Sequence, residues 1–310
     1  MIKKDILKKE IILINPRGFC SGVKRAIAIV NKALVQYGTP IYILHEIVHN
    51  EYVVRDFKKK GVIFKNSLKK VPEKSVLIYS AHGVSPKIRK VAEFKKLIVI
   101  DATCPLVKKI HNEAIKFNQG NYKIILIGKN GHNEVDGIAG EAPMTVISQP
   151  KDVNRLLLDK NDKIACLTQT TFLKSDRDKI LKLLKLKYKK IIVPKTDDIC
   201  LATYRRQKAV SILNKKIDLL LVVGSEKSNN ANRLFDIALQ SGINSYLLSS
   251  SKIINAAIFR NCKIIGITAA ASTPEEEVTA VIEKIKKIFI NLKIREIGTK
   301  NTEPIFPLPL

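Results

Sequence analysis

The stretch Ile11-Ile12-Leu13-Ile14-Asn15-Pro16-Arg17-Gly18-Phe19-Cys20-Ser21-Gly22-Val23-Lys24-Arg25-Ala26-Ile27-Ala28-Ile29-Val30 decides the fold. Ile11–Asn15 is a short β-branched run that reads as a strand, and Pro16 to Phe19 read as a loop. From Gly22 to Leu34 apolar residues recur at three-to-four spacing, the period of an amphipathic helix. Cys20 therefore falls just beyond a strand and just before a helix.

Working outward, the same unit recurs along the chain. Further strands are expected at Ile41–Leu44, Val76–Tyr79, Leu97–Ile100, Ile124–Ile127, Ile164–Leu167, Ile191–Val193, Leu219–Val223 and Ile264–Ile267. Strands alternating with helices predict an α/β protein with parallel sheets, and nine strands divide into three subdomains of three. Two other units repeat the cysteine. Leu97–Ile100 leads through Asp101, Ala102 and Thr103 to Cys104 and a helix from Pro105, and Ile191–Val193 leads to Cys200 and the helical stretch Ala202–Leu213. Ligands of α/β sheets gather at the carboxyl ends of the strands, where these loops lie. A helix N-terminus carries partial positive charge and unpaired N–H groups, which favour a thiolate. Metal binding, catalysis and plain filling of the strand–helix gap all stay open for the three. Cys166 and Cys262 have apolar, strand-like surroundings and read as core residues.

The 310 residues, 45% of them hydrophobic, suffice for a large core in two or three small domains or one large one. Asp5 and Glu10 interrupt the first segment, so no signal-peptide core is read there, and no apolar run reaches membrane-spanning length. The expected compartment is the cytosol. Fifty-five lysines and arginines against 28 acidic residues give a formal charge of +27, which suits anionic partners. The lysines are scattered through every segment beside abundant isoleucine and asparagine, the pattern of compositional drift. A redox-sensing nucleic-acid binder would need a basic tail, a recognition-helix or zinc-finger spacing, or basic residues interleaved with stacking aromatics; aromatics make up 6%. Neither specific nucleic acid nor membrane is expected as a partner. Five cysteines, an odd number without close pairing, argue against a disulfide scaffold.

The loops after other strands are polar: Glu46–Asn50, Ser80–Gly83, Gly131–Val135, Thr168–Thr171, Ser228–Asn230 and Thr268–Pro274. Hydroxyls, amides, imidazoles and helix N-termini can bind phosphate, although Ser, Thr and Asn are also ordinary helix caps. His49, His82 and His132 lie in these loops, whereas His111 falls inside the helix after Cys104 and reads as solvated or partner-satisfied. His45-Glu46-Ile47-Val48-His49 matches the zinc-hydrolase pattern H-E-x-x-H, which needs a helix through all five positions. Here the pentapeptide follows directly on a strand-like run, so zinc is not expected.

Taken together, Asn15–Val23, His45–Asn50, Ser80–Ser85, Asp101–Val107, Gly131–Val135, Thr168–Thr171, Asp198–Cys200, Val222–Ser225 and Ser272–Pro274 resemble the motifs of the 4-hydroxy-3-methylbut-2-enyl diphosphate reductase family over nearly the whole chain. The resemblance implies three pseudo-equivalent α/β subdomains with mainly parallel sheets, arranged as a trefoil around a central [4Fe–4S] cluster. The expected subdomains are 1–104, with the N-terminal strand and Cys20; 105–196, preceded by Cys104; and 197–310, with Cys200 and the C-terminal tail. It implies that Cys20, Cys104 and Cys200 ligate the cluster and leave one iron open to the substrate hydroxyl. By matching positions, His49, His82, His132, Ser228, Asn230 and Ser272 would hold the diphosphate with Asn229 beside them. Thr170 would orient the hydroxyl and Glu134 would supply the proton, with His132 part of the same catalytic group. The implied reaction is reductive dehydroxylation of the allylic diphosphate to isopentenyl and dimethylallyl diphosphate, the last step of the non-mevalonate isoprenoid pathway. Its electrons would come from reduced flavodoxin or ferredoxin. Four positions depart from the family's wording: Leu201 for Tyr, Arg205 for Asn, Asn229 for Ser and Ala270 for Gly. No expected ligand or proton donor is missing.

Overall fold

A computed structural model describes residues 9–213, 216–300 and 303–308. Among them the strands are β1 (Lys9–Ile14), β2 (Ile41–Leu44), β3 (Val62–Lys65), β4 (Val76–Tyr79), β5 (Ile98–Asp101), β6 (Lys123–Ile127), β7 (Met144–Ile147), β8 (Ile164–Thr168), β9 (Ile191–Ile192), β10 (Leu219–Val223), β11 (Asn244–Leu248), β12 (Ile264–Ala269) and β13 (Leu292–Ile297). The α-helices are α1 (Ser21–Tyr37), α2 (Glu51–Lys59), α3 (Pro86–Phe94), α4 (Pro105–Gln119), α5 (Asn133–Ala139), α6 (Lys174–Lys187), α7 (Leu201–Ser211), α8 (Asn229–Gln240) and α9 (Glu275–Ile288). None of these helices is long and apolar enough to cross a membrane.

The strands form three sheets in the orders β3-β2-β4-β5, β7-β6-β8-β9 and β11-β10-β12-β1-β13, and the recorded pairings are all parallel. This is the expected α/β class with parallel sheets. The three orders are the same once β1 is set in the place of β5 and β9, and β13 is an added edge. That placement corrects one expectation: the N-terminal strand does not join the first sheet but pairs with β12 and β13 from the far end of the chain. Cys20 therefore follows a strand of the C-terminal sheet, Cys104 one of the first sheet and Cys200 one of the second. The nine expected strands are present, Ile41–Leu44, Val76–Tyr79 and Leu219–Val223 with the expected bounds and the other six with ends moved by one or two residues.

The four strands the periodicity missed, β3, β7, β11 and β13, all lie at sheet edges. An edge strand is paired on one side alone and meets solvent, so it needs no continuous apolar run. Asn244, Ser245 and Tyr246 in β11 and Lys293, Arg295 and Glu296 in β13 break such a run, and β13 is largely exposed.

Two compact units emerge. One holds the five-stranded sheet, residues 201–305 and His49–Arg55; the other holds both four-stranded sheets. In the first, Ile11 and Leu13, Leu219, Leu221 and Val223, and Ile265 and Ile267 share one face of the sheet by the strand period of two. Val278, Val281 and Ile285 of α9 cover that face at helical spacing. In the second, Ile125, Ile127, Ile164 and Cys166 pack with Ile180 and Leu184 of α6. Tyr42, Leu44, Leu77 and Tyr79 pack with Ala92 of α3.

Gly224 closes β10 where the loop toward α8 begins. A Cβ there would stand 3.0 Å from the Cβ atoms of Ala231 and Ala270 and 3.3 Å from Thr273 Oγ1. The methyl of Ala270 is thus accommodated because its neighbour is glycine. Gly224→Ala is expected to cost about 1–3 kcal/mol by overpacking. Urea unfolding of the single variant and of Gly224→Ala with Ala270→Gly checks this, since the second change relieves the Ala270 contact but not that of Ala231 and should restore part of the loss.

Candidate active site

In all three sheets the cysteine lies at the carboxyl edge, and its backbone N–H donates to the loop after the neighbouring strand. Cys20 donates to Ala271 O at 3.1 Å, Cys104 to Ala81 O at 3.0 Å and Cys200 to Thr170 O at 3.0 Å. A helix follows each at once: α1 from Ser21, α4 with Cys104 as its N-cap, and α7 from Leu201. Cys20, Cys104 and Cys200 are half-buried, whereas Cys166 and Cys262 are fully buried core residues. Burial pushes the Cys166 thiol up to about 12, which leaves it inert. Partly accessible sulfurs at positive helix ends suit the anionic thiolates of an iron–sulfur cluster.

In the unit with the two four-stranded sheets, five of the expected site residues are joined through contacts. Glu134, in the first turn of α5, is 2% exposed. Its Oε1 accepts from the Thr170 N–H at 2.7 Å and its Oε2 from Thr170 Oγ1 at 3.0 Å. Burial pushes the Glu134 carboxyl up to about 7 against those two hydrogen bonds, and the negative charge of Asp198 acts in the same direction as burial. The Glu134 N–H donates to His132 Nδ1 at 3.1 Å, the side-chain cap of α5. An accepting Nδ1 bears no hydrogen, so neutral His132 presents Nε2–H as a donor. The His132 and His82 rings meet edge to face at 5.6 Å. His82 directly follows Ala81, which holds Cys104, and Thr170 holds Cys200 through its carbonyl.

In the other unit Ser228 caps α8, its Oγ accepting from the Ala231 N–H at 3.3 Å, and Asn229 and Asn230 open that helix. Asn230 is buried, and among the described residues neither its Oδ1 nor its Nδ2 has a hydrogen-bond partner. A buried amide with both needs unmet costs roughly 1–3 kcal/mol, which a polar ligand would recover. Ser272 Oγ donates to His49 O at 3.1 Å, and Asn50 Nδ2 to Glu277 Oε2 at 2.6 Å.

The pentapeptide from His45 to His49 is not helical, His45 has φ of 60°, and α2 begins at Glu51, so the geometry required of a zinc hydrolase is missing. His111 is buried in α4 with Nδ1 at 2.6 Å from Glu141 Oε1, the partnered alternative, although its buried Nε2 has no hydrogen-bond partner among the described residues. Leu201 is exposed and Arg205 half-buried, so neither departure intrudes on a core. Sequence reasoning gave no part to Asp198, which accepts from the Thr168 N–H and from Lys109 Nζ, both at 2.9 Å. It gave no individual role to Gln169 either, which is buried with its Oε1 accepting from the Lys129 N–H at 2.9 Å. Both stand inside quoted motifs, Asp198–Cys200 and Thr168–Thr171, the one signal that pointed to them.

Residues 11–286 match the family model described as LytB protein. The chain belongs to the LytB family of 4-hydroxy-3-methylbut-2-enyl diphosphate reductases. It is 43% identical over 310 residues to the enzyme so named in Nitrosomonas europaea, covering 97% of this chain and 96% of that protein. It is 44% identical over 305 residues to the Haemophilus influenzae enzyme of the same name, covering 97% of each. The solved E-1-hydroxy-2-methyl-but-2-enyl-4-diphosphate reductase of Plasmodium falciparum is similar with a TM-score of 0.94 and 40% identity, covering 97% of this chain and 96% of that one. A second solved structure, titled as the terminal enzyme of the non-mevalonate pathway, has a TM-score of 0.64 and 30% identity, covering 90% of this chain and 99% of that one.

In this LytB-family chain the buried carboxyl has a measurable consequence. With the folded value of Glu134 near 7, folding takes up a proton between the unfolded carboxylate's range and pH 7. The stability this gives is fully present at low pH and lost as pH rises through about 7, on the order of 3 kcal/mol. Glu134→Gln removes the titration. Urea unfolding from pH 5 to 8 should show the variant gaining on the parent as pH rises.

Proposed function

We propose that this chain reductively removes the hydroxyl from 4-hydroxy-3-methylbut-2-enyl diphosphate to give isopentenyl and dimethylallyl diphosphate, using a [4Fe–4S] cluster held by Cys20, Cys104 and Cys200. The observation that carries this reading is buried Glu134, whose carboxyl accepts from Thr170 and whose backbone N–H donates to His132, with the Thr170 carbonyl hydrogen-bonded to the Cys200 amide and the His82 loop to that of Cys104. The family membership gives the substrate class, and the three half-buried cysteines supply a suitable donor set.

When bound, a cluster with three thiolate ligands supplies two electrons and an iron with an open position that acts as a Lewis acid. The balance is one C–O bond broken and one C–H bond formed, with two electrons and two protons consumed and water released. Hydroxide is a poor leaving group, so the oxygen must be protonated as it departs. Glu134, with its carboxyl at about 7, still holds a proton near neutrality and can donate it. Both Thr170 donors then face the carboxylate, fixing its orientation and stabilising its charge once the proton has gone. The Thr170 hydroxyl is also proposed to orient the substrate's hydroxyl.

His49, His82, His132, Ser228, Asn230 and Ser272 are proposed to hold the diphosphate, with Asn229 alongside. The unmet amide of Asn230 and the Nε2–H of His132 supply donors without a fixed cation. Reduced flavodoxin or ferredoxin is the proposed electron donor, acidic proteins whose encounter a charge of +27 favours, and the cytosol the proposed compartment.

In anaerobically handled protein, Cys104→Ser is expected to lose most bound iron and sulfide together with activity; a full, active cluster in that variant would contradict the three-ligand assignment. Glu134→Gln should retain the cluster and bind substrate while turnover falls about 10²–10⁴-fold. Turnover by the parent is expected to decline as pH rises through about 7, as the acid form of Glu134 is lost.

A further inference from the structure

Among the described residues, Arg206 of α7 has the largest side chain that is fully buried. A guanidinium shielded from water needs a counter-charge and directed acceptors supplied by the protein. Its Nη1 donates to Glu303 Oε1 at 2.9 Å and to Ala202 O at 2.8 Å, and its Nη2 donates to Gly18 O at 2.8 Å. The carboxylate of Glu303 has 6% of its side chain exposed, and its Oε2 accepts from the Ser21 N–H at 2.7 Å. The ion pair thus grips a carbonyl two residues before Cys20 and the amide directly after it. The amide of Cys20 itself is held by Ala271. Gly18 has φ of 74°, the left-handed region, so the chain turns sharply at the point where Arg206 takes its carbonyl.

We infer that Arg206 and Glu303 form a clamp that presets Cys20 for its ligand role, with Glu303 supplied by the C-terminal segment. Both are positioning residues. The pair is separated by 97 residues, and the tail around Glu303 is rich in proline without periodicity. Removing the carboxylate frees the Ser21 N–H and leaves the buried guanidinium without its counter-charge, so the turn from Gly18 to Ser21 loosens. The inference that the clamp serves a cofactor rests on the proposed assignment of Cys20 as a cluster ligand; the clamp's hold on the turn does not.

The test separates the two. In the cluster-free chain, kept anaerobic and reduced, the rates of alkylation of individual cysteines by iodoacetamide are followed by mass spectrometry for the parent, Glu303→Ala and the near-isosteric Glu303→Gln. The expected result is a severalfold rise in the rate at Cys20 relative to Cys200, largest in Glu303→Ala, while buried Cys166 stays protected. An unchanged ratio in both variants overturns the clamp. So does Cys166 becoming labelled in step with Cys20 in both, since the pair would then hold the whole fold and not this turn. In the cluster-loaded chain, iron loss to a chelator should quicken in the variants whose Cys20 ratio rises. A raised ratio with unchanged iron loss keeps the clamp and removes Cys20 from the ligand set.

Discussion

The hydrogen bond from each site cysteine's amide to the loop of the adjacent strand is the constraint on which the rest of the site depends. In a parallel sheet neighbouring strands run the same way, so their following loops emerge at one edge. The ladder is resumed past the strand ends at Cys20 to Ala271, Cys104 to Ala81 and Cys200 to Thr170. A cysteine at the start of a helix is thereby set next to a second loop, and in each sheet that second loop is polar: Ser272 and Thr273, Ser80 and His82, or Thr168 to Thr171. Pairing a sulfur with a polar loop is a consequence of topology, and one sheet order used three times provides it three times.

Burial then assigns chemistry to residues that are alike in type. Glu134 and Asp198 are both buried carboxyls, and in both burial opposes ionisation. Burial leaves Asp198 raised above the usual carboxylate range although the ammonium of Lys109 and the Thr168 N–H oppose the rise, whereas Glu134 has no cation against it among the described residues and its hydrogen-bond donors are the neutral amide and hydroxyl of Thr170. Glu134 accordingly keeps a proton near neutrality, the property an acid catalyst needs. The same dry surroundings make the Arg206–Glu303 pair specific, because the two guanidinium Nη groups and both carboxylate oxygens take directed partners, and peptide groups beside Cys20 are among them.

Departures from the family's wording fall where the structure can absorb them. The Cβ of Ala270 faces Gly224, and Asn229 retains an amide at the start of α8. Leu201, at the first position of α7, projects no bulk into a core because it is exposed.

The sequence by itself determined the element types, the α/β class with parallel sheets, the nine interior or strongly apolar strands, the three cysteines at strand–helix junctions and the polar loops. Each of those is written in local periodicity or in a contiguous motif, where neighbours in sequence are neighbours in space. Tertiary structure alone decided that β1 completes the C-terminal sheet, that the polar-edged strands β3, β7, β11 and β13 exist, and that Glu303 meets Arg206 and Ser21. It also decided which carboxyl loses its solvent and that, among the described residues, the amide of Asn230 is left unmet at both its oxygen and its nitrogen. The physical reason is the same throughout: pairing on one strand edge, desolvation and long-range ion pairing depend on what the folded chain brings alongside, and no residue carries that information in its own neighbourhood.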